Sequence, residues 1–218
     1  MKTIKNSWRN VSINEYFSLK EKLDDESLQD YEKEIIKMAF ITEKQEEEIL
    51  NLNINEFKKL QETGSWLNEF DINQKPSFKN IILNGKKYKI DIDLHNFTVA
   101  QYVDFQTLYG KFKEDHKSIG NLLACFIIPE KHKYGEGYDI QETINEINNN
   151  LDIMTAEEIL FFFLKRSLLS MRVSVNFCNW MMKRAIKKAK TPQQKQILEE
   201  QWNKLKIQLL DGCRVWTK

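Results

Sequence analysis

Glycine and proline are scarce, 7 and 3 in 218 residues. Folds made of many short strands place both residues in their turns, so this composition speaks against a sandwich or barrel and for helices joined by short connections. Cysteine is equally sparse. Cys125, Cys178 and Cys213 are odd in number, far apart and set among apolar residues, and no Cys-x-x-Cys spacing occurs. That pattern excludes a disulfide framework and suits buried free thiols in a reducing compartment. Long hydrophobic runs are missing: the longest, Ile159 to Leu164, falls far short of the roughly 20 residues a membrane-spanning helix needs. The polar opening from Met1 to Trp8 lacks the apolar stretch of a signal peptide, so the expectation is a soluble chain that is not exported by that route. An excess of one charge is missing as well. Lys+Arg number 33 against 32 Asp+Glu, a formal net charge of +1, so bulk attraction to a polyanion is excluded and any charge argument must be local.

What is present is ample material for a core. Hydrophobic residues make up 41% and charged residues 30%, and a chain of this length buries enough apolar surface to fold without metal or disulfide support. Helix starts are marked by Ser or Thr followed three residues later by Glu or Gln, the pattern in which two side chains reciprocally satisfy backbone donors. It occurs at Ser12/Glu15, Thr42/Gln45, Thr98/Gln101, Thr155/Glu158 and Thr191/Gln194. Hydrophobic staples accompany three of them: Val11 with Tyr16, Phe97 with Tyr102, and Met154 with Ile159. Pro192 adds a favoured first helical residue after Thr191.

One stretch breaks the helical pattern. Ile81-Ile82-Leu83 leads into Asn84-Gly85, the preferred pair for a two-residue hairpin turn, and then Tyr88, Ile90, Ile92 and Leu94 alternate. The alternation predicts a second strand that buries those four and exposes Lys89, Asp91 and Asp93. The reading is therefore a mainly α, multi-helix protein with one central β-hairpin. Helices are expected near 12–23, 28–40, 43–50, 54–70, 98–113, 118–127, 139–150, 155–190 and 192–211, the last two forming a long C-terminal helical hairpin. A division into an N-terminal helical part, 1–75, and a hairpin-plus-helix part, 76–218, is one organisation; a single compact unit is the other.

Groups capable of chemistry are present but do not converge. Asp91, Asp93 and His95 alternate on one strand face about 7 Å apart, so a metal would need a further ligand from elsewhere; an exposed polar face is the simpler reading. His116 and His132 lie in polar surroundings with no nucleophile motif beside them. Gly135 and Gly137 lack the Lys-Ser/Thr ending of a phosphate loop. The carboxylate runs Asp24-Asp25-Glu26 and Glu46-Glu47-Glu48 read as solvated helix ends. No cofactor, no metal and no enzymatic activity is expected.

Charge is segregated along the chain. Between Ile159 and Leu198 there is no Asp or Glu, while Lys165, Arg166, Arg172, Lys183, Arg184, Lys187, Lys188, Lys190 and Lys195 are basic; between Tyr134 and Leu164 the only charges are acidic. At about 100° per residue, Lys183, Arg184, Lys187, Lys188 and Lys190 share one side of a helix and Ala185, Ile186 and Ala189 the other. Such a helix serves as a solvated face paired with the acidic stretch, as a contact for an acidic protein surface, or as a contact for nucleic acid. Val215 and Trp216 follow Gly212, a helix-ending residue, and an exposed aromatic there suits docking on another subunit.

Several stretches together resemble a family of roughly 200-residue proteins encoded in the virion-structure and tail-assembly modules of tailed phages, especially those of Bacteroidetes-type hosts. They are Asn6 to Tyr16, Ile82 to Tyr88, Leu94 to Phe105, Phe126 to Glu130 with Tyr138-Asp139, and Phe161 to Lys165. The resemblance implies a non-enzymatic role, either a tail assembly chaperone or a structural subunit at the neck or tail. It implies phage tail, neck or portal-associated proteins as partners, self-association among the options, no membrane, and a location in the host cytoplasm during assembly or in the virion. On this reading Lys165, Arg166, Lys183, Arg184, Lys187, Lys188, Lys190 and Trp216 are the partner-binding candidates. The alternative is a DNA-contacting protein that uses the same basic 165–190 helix on phosphates.

Overall fold

The computed structural model describes residues 4–70, 79–93 and 96–165. It is mainly helical with a small antiparallel sheet. The helices are α1 (Ile13–Leu23), α2 (Asp30–Thr42), α3 (Glu46–Leu50), α4 (Ile54–Thr63), α5 (Val99–Glu114), α6 (Ile119–Leu123) and α7 (Ile140–Asn150), and residues 153–165 are helical as well. The strands are β1 (Asn80–Leu83), β2 (Lys86–Ile90) and β3 (Ile127–Pro129). The chain divides into two compact units, 1–160 and 161–218. A boundary near residue 75 would fall inside the first. Of the second, only the helical residues 161–165 are described, so the expected helical hairpin beyond them lies outside the described residues.

Two of the five capping boxes sit where the residue pattern puts them. Ser12 Oγ accepts the Glu15 N–H at 3.3 Å while Glu15 accepts the Ser12 N–H at 2.8 Å. Thr98 and Gln101 do the same at the start of α5. Thr42/Gln45 is not a helix start. Thr42 ends α2, and its hydroxyl donates back to the Met38 carbonyl at 2.7 Å, a local bond that threonine makes readily inside a final turn. The next helix, α3, begins at Glu46 with Gln45 as its N-cap, and Glu48 accepts the Gln45 N–H. Thr155/Glu158 is not a cap either: the helix is already under way at 153, Asp152 accepts the Thr155 N–H at 2.8 Å, and Glu158 is turned to another partner. The Met154 to Ile159 staple goes with it. Phe97 lies edge-on to Phe105, centroids 6.5 Å apart, while Tyr102 is exposed. Thr191/Gln194 lies outside the described residues.

The hairpin forms with Asn84 and Gly85 at φ 47° and 75°, as its turn requires. Ile81 stands opposite Tyr88, and Leu83 and Tyr88 are buried. The strand is shorter than the alternation suggests. It ends at Ile90; Ile90 and Ile92 are only half-buried, as are Lys89, Asp91 and Asp93, and Leu94 lies outside the described residues. A lone hairpin is marginal in water, and here β3 supplies a third strand: Tyr88 pairs with Pro129 and Ile90 with Ile127, giving the order β1-β2-β3. The stretch expected to be helical through 127 thus stops at Leu123 and turns into this strand.

The core of the first unit gathers Phe105 from α5, Leu122 and Leu123 from α6, Phe126 and Ile127 around β3, Ile147 from α7, and Val11 and Ile13 at the start of α1. The beginning of the unit is tied to its end. Ile13 donates to the Leu151 carbonyl at 3.2 Å and Ile153 to the Val11 carbonyl at 2.9 Å, and Arg9 Nη2 reaches the fully buried carboxylate of Glu158 at 2.6 Å. Glu142 and Glu146 pair with Lys86. These acidic residues of the 134–158 stretch therefore find cations near the beginning and middle of the chain.

Candidate protein-binding groove

Three helices, α2, α3 and α4, pack on one another around Met38, Ala39, Ile41 and Ile49, with Ile35, Leu52, Phe57, Leu60, Trp66 and Leu67 partly buried against them. The chain leaves α4 at Gly64, where a β-carbon would lie 2.5 Å from Ile41 Cδ1, so a larger residue would have to displace that buried side chain in the cluster. Five residues make α3, too short to cover its neighbours. What remains open is a groove of about 530 Å³. Ile35, Ile49, Leu52 and Phe57 form its floor, and Tyr31, Leu50 and Ile54 stand around it, 65%, 63% and 67% exposed. Single exposed apolar residues are ordinary, whereas three large ones about a single groove form a patch of the kind proteins use to bind one another.

The charged side chains along the groove, Asp30 and Glu34, are both acidic. Burial alone would push the Glu34 carboxyl up. Hydrogen bonds from Lys37 at 2.6 Å and Gln61 at 3.2 Å outweigh it and hold the carboxyl below its ordinary value, so Glu34 stays ionised at neutral pH. From Asp24 to Thr63 the chain carries 12 acidic and 5 basic residues, a marked local excess in a nearly neutral protein. Four backbone donors at the start of α4 and just before it are engaged: Asn53 Oδ1 accepts from Asn55 and Glu56 at 3.1 and 3.0 Å, Glu56 accepts from Asn53, and Leu52 donates to the Ile49 carbonyl. Replacing Asn53 by Ala removes this cap. We expect a loss of about 1 kcal/mol, read as a lower urea midpoint with an unchanged slope.

A more polar depression of about 640 Å³ lies between α1 and α2. Its buried cation, Lys5, is tied to Glu15 and Glu43 at 3.0 and 2.9 Å and lies 5.5 Å from the Phe40 ring. Those contacts, with its N–H on the Ile41 carbonyl, clamp the beginning of the described chain to α2. The Lys5 charge is engaged in that clamp.

Of the expected partner-binding residues, Lys165 is helical and exposed. Arg166, Lys183, Arg184, Lys187, Lys188, Lys190 and Trp216 lie outside the described residues, as do Cys178, Cys213 and His95. Asp91 Oδ1 accepts the Asp93 N–H and the Asn96 side-chain amide at 3.2 and 3.1 Å, closing a turn. Among the described residues no group of three or more His, Cys, Asp or Glu is placed to hold a metal ion. His116 is exposed beside Phe112, and His132 is half-buried beside Tyr138. Cys125 is buried, which pushes its thiol up to about 12 and leaves almost no thiolate at neutral pH. No helix among the described residues is long and apolar enough to cross a membrane.

The groove residues are absent from the candidates read off the sequence. A signal exists in Asn51-Leu52-Asn53-Ile54-Asn55, where apolar residues alternate with asparagines from the end of α3 into the first turn of α4. It becomes a surface only when α2 lies alongside. Comparison with protein-family models, with curated proteins and with solved structures finds no match to this chain.

Proposed function

We propose that the chain is a non-enzymatic assembly protein of a tailed phage that binds other tail or neck proteins while the virion is built, acting in the host cytoplasm or remaining in the particle. The groove ringed by exposed Tyr31, Leu50 and Ile54 carries the protein-binding half of this reading. Maintaining three large apolar side chains in water is unfavourable, and a partner that covers them recovers roughly 25 cal/mol for each Å² of apolar surface removed. The resemblance of residues 6–16, 82–88, 94–105, 126–130 and 161–165 to phage assembly-module proteins supports the phage half.

The test is affinity capture with the tagged full chain from phage-infected host cells, with captured proteins identified by mass spectrometry. Recovery of tail, neck or portal-associated proteins, reduced at least about tenfold by Leu50→Asp, is the expected result; tenfold corresponds to about 1.4 kcal/mol of lost contact. Leu50 is largely exposed, so the change leaves the core intact. Capture of nucleic acid alone, or of no virion protein, overturns the reading.

A further inference from the structure

Resting on the protein-binding reading of the same groove, we infer that its occupant is a cationic amphipathic helix of a partner protein, which seats apolar residues on Ile35, Ile49 and Phe57 and sets Lys or Arg against Asp30 and Glu34. Two observations select this occupant. The first is the backbone. An extended peptide binds by adding main-chain hydrogen bonds to a sheet edge, but no strand lines this groove, and the N–H groups of Leu52, Asn53, Asn55 and Glu56 on its α3–α4 side are already engaged. A partner segment must therefore satisfy its own N–H and C=O groups, as a helix does, and recognition passes to side chains at i, i+3, i+4 and i+7.

The second is charge. Asp30, which is exposed, and Glu34, which is held ionised with Lys37 and Gln61 on its two oxygens, are the charged side chains lining the groove. A helix flanked by carboxylates meets like charge here, and an anionic lipid surface or a nucleic-acid backbone meets the same repulsion. A helix flanked by Lys or Arg is attracted. The groove volume, about 530 Å³, suits a few apolar side chains presented by one helix face.

The experiment titrates the full-length protein against two fluorescent probe peptides of about 14 residues, long enough to take up a helix on binding. Both carry leucines at i, i+3, i+4 and i+7; one has lysines on its flanks and the other glutamates. The lysine peptide is expected to bind at least about tenfold more tightly at low salt, with the gap narrowing as ionic strength rises. Ile54→Asp should abolish its binding, and Asp30→Lys should erase the preference between peptides. Both positions are exposed, and an unchanged far-UV circular dichroism spectrum checks the fold. Equal affinity for the two peptides, binding that survives Ile54→Asp, or binding to anionic vesicles through these residues each overturns the inference. So does concentration-dependent self-association removed by Ile54→Asp, which would make the occupant a second copy. Failure here is distinct from failure of the assembly reading: virion proteins still captured through Leu50 while both peptides bind alike would sink the cationic helix alone.

Discussion

Replacing Arg9 with alanine should destabilise the first unit by about 3–5 kcal/mol, a large share of the roughly 5–15 kcal/mol that holds a typical domain together. Glu158 has no exposed side-chain surface, and the guanidinium of Arg9 lies 2.6 Å from its carboxylate and 3.4 Å from the Thr155 hydroxyl. Arg9 itself is about half exposed, 48%, so its own desolvation is cheap. What the substitution exposes is the energetic penalty of a carboxylate buried without that cation. Adding Glu158→Gln to Arg9→Ala should recover part of the loss, because a neutral amide tolerates burial better than a charge. Urea denaturation of the two single variants and the double variant reads the coupling. Additive losses would mean that the pair contributes through packing alone.

Phe105→Ala is the second large effect. The ring is 1% exposed and is flanked by Phe97, by Tyr109 at 5.9 Å in a stacked arrangement, and by Phe126 at 6.4 Å. Truncation removes a buried aromatic and leaves a cavity that its neighbours on α5 and near β3 cannot all move to fill. The expected cost is about 3–5 kcal/mol. A cycle with Phe126→Ala should show the two rings coupled by about 0.5–1.5 kcal/mol, the range for aromatic pairs beyond the area they bury. Thermal melts followed by near-ultraviolet circular dichroism would report both quantities, and a loss below about 1 kcal/mol for Phe105→Ala would mean that this core closes up around the gap.

The elements that were legible in the sequence are those whose cause is local. Ser12 with Glu15 and Thr98 with Gln101 mark their helices because both partners of each bond lie within one turn, and Asn84-Gly85 marks the hairpin because its dihedral demand is met by two adjacent residues. Misreadings arise where distant residues compete. Glu158 matches a capping pattern with Thr155 but is claimed by Arg9, 149 residues away. Ile127-Ile128-Pro129 is a short apolar run that reads equally as a helix end or a buried strand. Only the presence of β2 beside it decides, and Pro129 is tolerated because it sits on an outer strand that needs no second set of donors. The groove follows the same rule. Its acidic surroundings are written in the order of residues 24–63, yet its floor exists only once three separate helices meet.

The pairing of residues 9–13 with 151–158 makes the earlier segment wait for the later one during synthesis. A ribosome adding about 5–20 residues per second needs roughly 7–30 s to make the intervening stretch. Over that interval Val11 and Ile13, both buried in the finished molecule, lack the segment whose backbone they bond to. Until residues 151–158 are made, this apolar stretch of the nascent chain is open to non-native contacts, and a folding factor that shields it should raise the yield of native protein.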